Sequence, residues 1–222
     1  MNGMPTVARS QMLAIYERLH SFLGPSGWWP GETPVEVIVG AILTQNTSWR
    51  NVEQALARLK EEGALSVERL TRIGEAQLAE WIRPAGYYRI KARRLKNFFR
   101  FLQEDYQGQI EGLVEQPLEK ARAQLLGIRG VGPETADSIL LYALGKPTFV
   151  VDTYTHRIFS RHQLVPEESD YEGLRSFFME ALPEEVTLFN EFHALIVRTG
   201  KTYCKKKAPL CGDCPLGDLE SG

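Results

Sequence analysis

The 222-residue sequence is short of several things, and each shortage narrows the reading. No apolar run comes near the roughly 20 residues that a membrane-crossing helix needs. The opening Met1-Asn2-Gly3-Met4-Pro5 has none of the charge-then-apolar order of a secretory signal. A cytoplasmic protein that engages no membrane is therefore expected. Sustained apolar/polar alternation is missing too, which leaves helical periodicity dominant. Cysteine is scarce: Cys204, Cys211 and Cys214 all fall within eleven positions. Three thiols cannot make a disulfide framework, and their clustering favours a metal. Surplus positive charge is absent, since 26 Lys and Arg face 28 Asp and Glu for a net charge of −2. Any polyanion must then be met by local patches. Lysine, finally, is missing from the whole interval between Lys120 and Lys146.

What is present is a globular composition, 43% hydrophobic and 24% charged, enough for one large or two small domains. Residues 8–23 put Met12, Leu13, Ile15, Leu19 and Phe22 on one helical face. A turn, Gly24-Pro25-Ser26-Gly27, leads into Trp28-Trp29-Pro30. Residues 34–45 are apolar all round, the mark of a buried central helix. The polar run Gln45-Asn46-Thr47 follows, costly to bury unless its amides find partners, and a helix restarts at Ser48, a good cap. Helices are predicted over 66–73, capped by Ser66, and over 75–82. After the break at Pro84 and Gly86 a long helix runs to about Tyr106. Seven basic residues lie between Arg83 and Arg100, with aromatics among them; they read as a solvated face or as a partial phosphate contact. Further helices are predicted over 117–126, 134–144, 153–163, 170–181 and 184–199.

The pivotal stretch is Leu125-Leu126-Gly127-Ile128-Arg129-Gly130-Val131-Gly132-Pro133-Glu134-Thr135-Ala136-Asp137. It reads as helix, tight turn, helix. Gly127, Gly130 and Gly132 permit positive φ and bare backbone, and Pro133 opens the second helix. Unpaired amides at a helix start suit a phosphate, gripped without reading bases. Twenty residues past Gly132, the apolar Phe149-Val150-Val151 ends in Asp152-Thr153, a carboxylate at a predicted helix start. By itself such an aspartate is an N-cap, and a cap position also fixes the carboxylate in place.

Hairpin plus Val-Asp-Thr resembles the helix-hairpin-helix DNA glycosylases of the endonuclease III superfamily, over roughly residues 28 to 216. The resemblance implies an all-α, two-lobed fold with DNA across the cleft. A central six-helix lobe would span 31–146, and a second lobe would join 1–30 to 147–222. It implies base excision repair by base flipping, a monomer acting on double-stranded DNA, and a nucleoid-associated location. Asp152 takes the family's catalytic aspartate position. Gly127, Arg129, Gly130, Gly132 and Thr135 would contact DNA with the hairpin. Asn46, or alternatively Gln45, would fill the gap left by the flipped base.

Bifunctional members of the family carry a lysine two residues after the last hairpin glycine. Glu134 stands there, and a carboxylate cannot form a Schiff base. A monofunctional enzyme, without abasic-site lyase activity, is expected. Trp28-Trp29-Pro30, Trp49 beside Leu43-Thr44-Gln45-Asn46-Thr47, and Arg83-Pro84-Ala85-Gly86-Tyr87-Tyr88 look like the 3-methyladenine DNA glycosylase branch, which also has glutamate for lysine. An N-alkylated purine is cationic, leaves readily and is preferred by an aromatic clamp by about 1–2 kcal/mol. Trp49 and one of Trp28 and Trp29, with Pro30, are the candidate pocket; Trp49 also reads as a plain core anchor. Uracil, mismatched thymine or an oxidised base is the alternative substrate, and a non-enzymatic DNA-binding module the alternative class.

Cys204-x6-Cys211-x2-Cys214 resembles the start of the family's iron–sulfur loop, whose fourth cysteine falls on Glu220 here. Four thiolates normally hold a [4Fe–4S] cluster, and a carboxylate is a hard substitute. Three outcomes stay open: a cluster with a foreign fourth ligand, a zinc completed by His or Glu, or no metal.

Overall fold

The structure, a computed structural model, describes residues 9–28 and 31–219. Trp29, Pro30 and Glu220, all invoked above, lie outside the described residues. The described residues form α1 Arg9–Leu23, α2 Pro34–Leu43, α3 Trp49–Glu61, α4 Val67–Arg72, α5 Glu75–Trp81, α6 Tyr88–Tyr106, α7 Ile110–Val114, α8 Leu118–Gly127, α9 Pro133–Ser138, α10 Thr153–Arg161, α11 Tyr171–Ala181 and α12 Val186–Thr202. No strand occurs among them, so the fold is all-α. Two compact units result, Met1–Trp28 with Pro147–Gly222, and Trp29–Lys146.

The unit Trp29–Lys146 is built on α2. The Thr33 hydroxyl accepts from the Glu36 amide at 3.2 Å and Pro34 fills the first helical position, so the chain starts this helix sharply. Every residue from Glu36 to Leu43 is buried. Ile38, Ile42 and Leu43 join Leu95, Phe98 and Phe99 of α6 in one core, each side chain contributing about 1.5–3 kcal/mol on burial. Glu36 is tolerated there because Lys60 Nζ reaches its carboxylate at 2.8 Å. This unit holds α2 to α9, eight helices among the described residues rather than the six expected. Short ones such as α7 carry too few residues for a period to show.

Two lysines of the basic helix α6 depart from both readings of its charges, while Arg89, Arg93 and Arg100 keep to an exposed face. Lys91 is 1% exposed, and its ammonium donates to the carbonyls of Leu43 at 2.8 Å and Ala85 at 2.7 Å. Lys96 donates to the carbonyls of Leu70, Thr71 and Ile73 at 3.0, 2.6 and 2.7 Å. The last carbonyls of a helix have no partner inside it, so these lysines clamp helix ends rather than meet solvent or phosphate. Burial, with Arg94 nearby, pushes Lys91 down to about 8.

The hairpin helices α8 and α9 are locked by a buried bidentate pair. Arg122 Nε and Nη2 lie 2.9 and 3.1 Å from Asp137 Oδ1 and Oδ2. The continuous helix predicted over 134–144 is instead α9 followed by a π turn, Ile139–Ala143. The Ser138 hydroxyl bonds back to the Glu134 carbonyl at 2.7 Å, a contact that loosens a helical ladder.

In the other unit, Phe149 stacks on Phe178 with centroids 3.9 Å apart, and Phe159 and Phe192 meet this pair edge-on. A Cβ on Gly200 of α12 would sit 2.4 Å from Tyr154 Cδ1, so only glycine lets α10 and α12 close. Arg157 of α10 then donates to the Gly200 and Cys204 carbonyls at 3.1 and 2.8 Å. Arg198 of α12 ties down the end of α1 through the carbonyls of Leu23 and Gly24, at 2.6 and 2.9 Å.

Replacing Arg122 by Met leaves Asp137 buried without its main cation. Denaturant unfolding should show a loss of about 3–5 kcal/mol, and adding Asp137→Leu should restore most of it. A single-variant loss below about 1 kcal/mol would mean the pair does not lock the hairpin.

Candidate functional site

The hairpin turn is narrower in its demands than three glycines suggest. Only Gly130 adopts positive φ, at 99°, and a Cβ there would lie 2.5 Å from Arg94 Cγ of α6. Gly127 closes α8, and Gly132 is the extended N-cap of α9, with φ −98°. Open space surrounds the position a Gly132 Cβ would take, which leaves the amides at the start of α9 approachable. Asn97 of α6 pins the turn by donating to the Arg129 carbonyl at 2.8 Å. Gly127, Arg129 and Gly130 are exposed, as is Glu134 on the first turn of α9. Thr135 is 4% exposed, so its side chain belongs to the interior and not to the contact surface first assigned to it.

Thr135 has a second use. Its hydroxyl accepts a hydrogen bond from the Gln45 side-chain amide. That satisfies part of the polar run after α2 and takes Gln45 out of contention for the gap-filling role. Asn46 is exposed in left-handed backbone, φ 52°, which asparagine tolerates better than most residues. Ser48 is the N-cap of α3, yet its side chain makes no capping bond. Trp49 packs partly on the core while its indole Nε1 donates to Glu53 at 2.8 Å. Its ring is anchored at one edge and half-buried. Trp28 is half-buried in the other unit, where its amide donates to Ser26 Oγ at 3.1 Å.

Asp152 begins α10 directly after the buried Phe149-Val150-Val151. Oδ1 accepts from the Tyr154 amide at 2.9 Å, the Thr155 amide at 2.8 Å and the Thr155 hydroxyl at 3.0 Å. That is a full capping box. Oδ2 is turned to His193 of α12, whose Nε2 lies 3.7 Å away. The His193 ring is buried edge-on to Phe149, centroids 6.4 Å apart. Burial pushes the Asp152 carboxyl up, but His193 and the Thr155 amide and hydroxyl pull harder, leaving it below the ordinary aspartate value. His193 escaped the sequence reading because a lone histidine on an apolar helix face carries no signal.

Residues 39–184 match the family described as HhH-GPD superfamily base excision DNA repair protein. The chain belongs to this superfamily. Within it, a Methanocaldococcus jannaschii protein provisionally named a DNA repair glycosylase is 48% identical over 92% of this chain and 93% of its own. Endonuclease III of Thermotoga maritima is 33% identical over 82% of this chain and 80% of its own. Among solved structures, H. pylori 3-methyladenine DNA glycosylase bound to 1,N6-ethenoadenine superposes with a TM-score of 0.76 at 29% identity, covering 88% of this chain and 98% of that one. The protein is thus a superfamily DNA glycosylase. No helix among its described residues is long and apolar enough to cross a membrane.

The three superfamily-spaced cysteines are free thiols, and all three line one void of about 110 Å³ beside α10. Arg161 Nη1 donates to Cys204 Sγ at 3.3 Å and to the Lys205 carbonyl at 2.8 Å, ordering the loop. Among the described residues no three His, Cys, Asp or Glu side chains converge on a single-ion position. A tetrahedral zinc would need sulfurs about 3.8 Å apart, from zinc–sulfur bonds of about 2.3 Å. Cys204, Cys211 and Cys214, around their shared void, are the side chains that would hold a metal group here.

A carboxyl held low stabilises the fold fully above the unfolded aspartate value, about 3.9, and loses that contribution as pH falls through its folded value. Asp152→Asn keeps the cap but not the charge, so at pH 7 it should lose the stability that the depressed carboxyl supplies, whereas Asp152→Ala loses the cap as well and should cost about a further 0.5–2 kcal/mol. In unfolding curves from pH 7 to 3, wild type should lose stability relative to Asp152→Asn below about pH 4. Parallel pH profiles would show that the carboxyl is not held low.

Proposed function

We propose that the protein is a monofunctional glycosylase that hydrolyses the N-glycosidic bond of alkylated purines such as 3-methyladenine in duplex DNA, leaving the abasic strand intact. The carrying observation is an Asp152 that starts α10 yet keeps one oxygen uncommitted to its helix, and the hairpin carries Glu134 where a lyase would need an amine. The likeness to the H. pylori enzyme supports the substrate class.

Asp152 does the chemistry. Its Oδ1 is saturated, so Oδ2 is the oxygen that faces substrate. A carboxylate with a depressed pKa is a weak base at neutral pH, so its main work is electrostatic: it stabilises the positive charge that develops on the sugar as the base departs. It also orients the attacking water, whose proton is lost as the C1′–O bond forms. Alkylated purines are already cationic and leave as neutral bases, so no strong general acid is required. The absence of an amine at position 134 removes the route to a Schiff base. Two nearby amines in the same unit are spent elsewhere: Lys91 on two carbonyls, and Lys146 on the Gln116 carbonyl at 2.5 Å.

Backbone amides at the start of α9 and exposed Arg129 hold phosphate, and Asn46 fills the space of the extruded base, which is cheaper to extrude at a damaged pair. Trp49, fixed through Glu53, offers a π face to the cationic ring. Cys204, Cys211 and Cys214 are the residues that would hold a [4Fe–4S] cluster, which would tie the C-terminal loop together.

Methylated duplex DNA should yield free 3-methyladenine, with strand breaks only after alkali. Asp152→Asn should lower the release rate by about 10²-fold or more. Breaks before alkali would refute the monofunctional assignment, and release of uracil or thymine but no methylated purine would refute the substrate class.

A further inference from the structure

The turn that follows α1, residues 24–28, is held from α12. None of its residues is buried, and Gly24 and Gly27 bend the chain at φ 68° and 63°, so neither core burial nor regular structure fixes where Trp28 stands. Glu191 of α12 takes Ser26 with both carboxylate oxygens. Oε1 accepts from the Ser26 amide at 2.7 Å, and Oε2 from the Ser26 hydroxyl at 2.6 Å. The same hydroxyl oxygen accepts from the Trp28 amide at 3.1 Å, which completes a relay from Glu191 to Trp28. We propose that Glu191 is a positioning residue for base recognition: through Ser26 it fixes Trp28, the aromatic face that this unit offers the extruded base, relative to Asp152.

Three observations carry this. First, the two bonds to Glu191 have the lengths of charge-assisted hydrogen bonds, which are roughly twice as strong as neutral ones. Using both oxygens on one residue also fixes direction, as a single bond would not. Second, the grip on the turn is doubled. Arg198 lies two helical turns beyond Glu191 on the same face of α12, and it donates to the carbonyls of Leu23 and Gly24 at 2.6 and 2.9 Å. One face of the helix thus holds the turn at its start and in its middle. Third, the neighbouring face of the same helix meets the catalytic candidate. His193 is two residues from Glu191, roughly 200° around the axis, and its Nε2 lies 3.7 Å from Asp152 Oδ2. Gly200, two turns beyond His193, is where Tyr154 of α10 closes in. A single turn of α12 therefore carries the support of Trp28 and the neighbour of Asp152, and all of these residues belong to one compact unit. The helix is the ruler: the ring that receives the base and the carboxylate that meets its sugar are referred to one rigid element.

This inference rests on the proposed function, and its test separates the two. The full chain is compared as wild type, Glu191→Ala, Glu191→Gln, Ser26→Ala and the double variant Glu191→Ala/Ser26→Ala, with methylated duplex DNA as substrate. Glu191→Ala should lower kcat/KM for 3-methyladenine release by about tenfold, chiefly through KM, with circular dichroism and the pH dependence of kcat unchanged. Glu191→Gln retains one acceptor and should fall between it and wild type. The double variant should lose less than the two single losses combined, because both residues act in one relay. With 5-fluorotryptophan incorporated, the ¹⁹F resonance that Trp28→Phe removes should shift or broaden in Glu191→Ala, while those of Trp49 and Trp81 hold. Should Glu191→Ala fail to fold, Ser26→Ala carries both comparisons in the same direction. Wild-type kcat/KM in these variants, or an unmoved Trp28 resonance, would overturn the proposal. A wild-type protein that releases no methylated purine would instead count against the proposed function, and the Trp28 resonance would still decide whether Glu191 positions that ring.

Discussion

One carboxylate oxygen organises the start of α10 and, on the proposed function, the chemistry as well. Asp152 Oδ1 takes three donors from the first turn of α10, and those bonds start the helix and immobilise the charge at once. The surrounding sequence serves that arrangement. Phe149, Val150 and Val151 bury the approach, and the stacked phenylalanines behind them hold its position. Gly200 permits α12 to press close enough for the α10 arginine clamp, and the same helix supplies His193 at the second oxygen. A group that is both cap and reactive centre needs no separate scaffold, because the helix it begins is the scaffold.

Charge is handled with similar economy elsewhere. With a net charge of −2, the chain cannot rely on a diffuse positive field to hold a polyanion. Two lysines of its densest basic stretch, Lys91 and Lys96, terminate other helices, while Arg83, Arg89, Arg93 and Arg100 stay exposed. On the proposed function phosphate is met locally, by Arg129 and by backbone amides at the start of α9, in a turn that Asn97 pins and that has open space at Gly132. Short-range contacts of this kind fix orientation more than affinity.

The helices were legible where apolar spacing is long and regular: α2, α6 and α12 read directly, as did the caps at Thr155's partner Asp152 and at Ser66. What stayed hidden depends on contacts between distant residues. Nothing local distinguishes Lys91, fully buried, from exposed Arg93 two positions later. Nothing in Gln45-Asn46-Thr47 tells which amide is tied down, because the tie comes from Thr135. The π turn after α9 follows from one serine bonding backwards, which a periodicity pattern averages away. His193 carries no local signal; its significance is entirely a matter of the Asp152 carboxylate that the fold sets opposite it.

The Gln45–Thr135 bond joins two turns that are 90 residues apart in the chain. It makes the α2–α3 turn and the hairpin a single caliper, with Asn46 on one jaw and the α9 amides on the other. On the proposed function, the distance along the duplex between the gripped phosphate and the vacated stack is then set by the protein and not by the flexibility of the DNA. Such a caliper registers a lesion by geometry alone: a site whose base leaves the stack at the wrong spacing from the held phosphate cannot be filled by Asn46, whatever its chemistry.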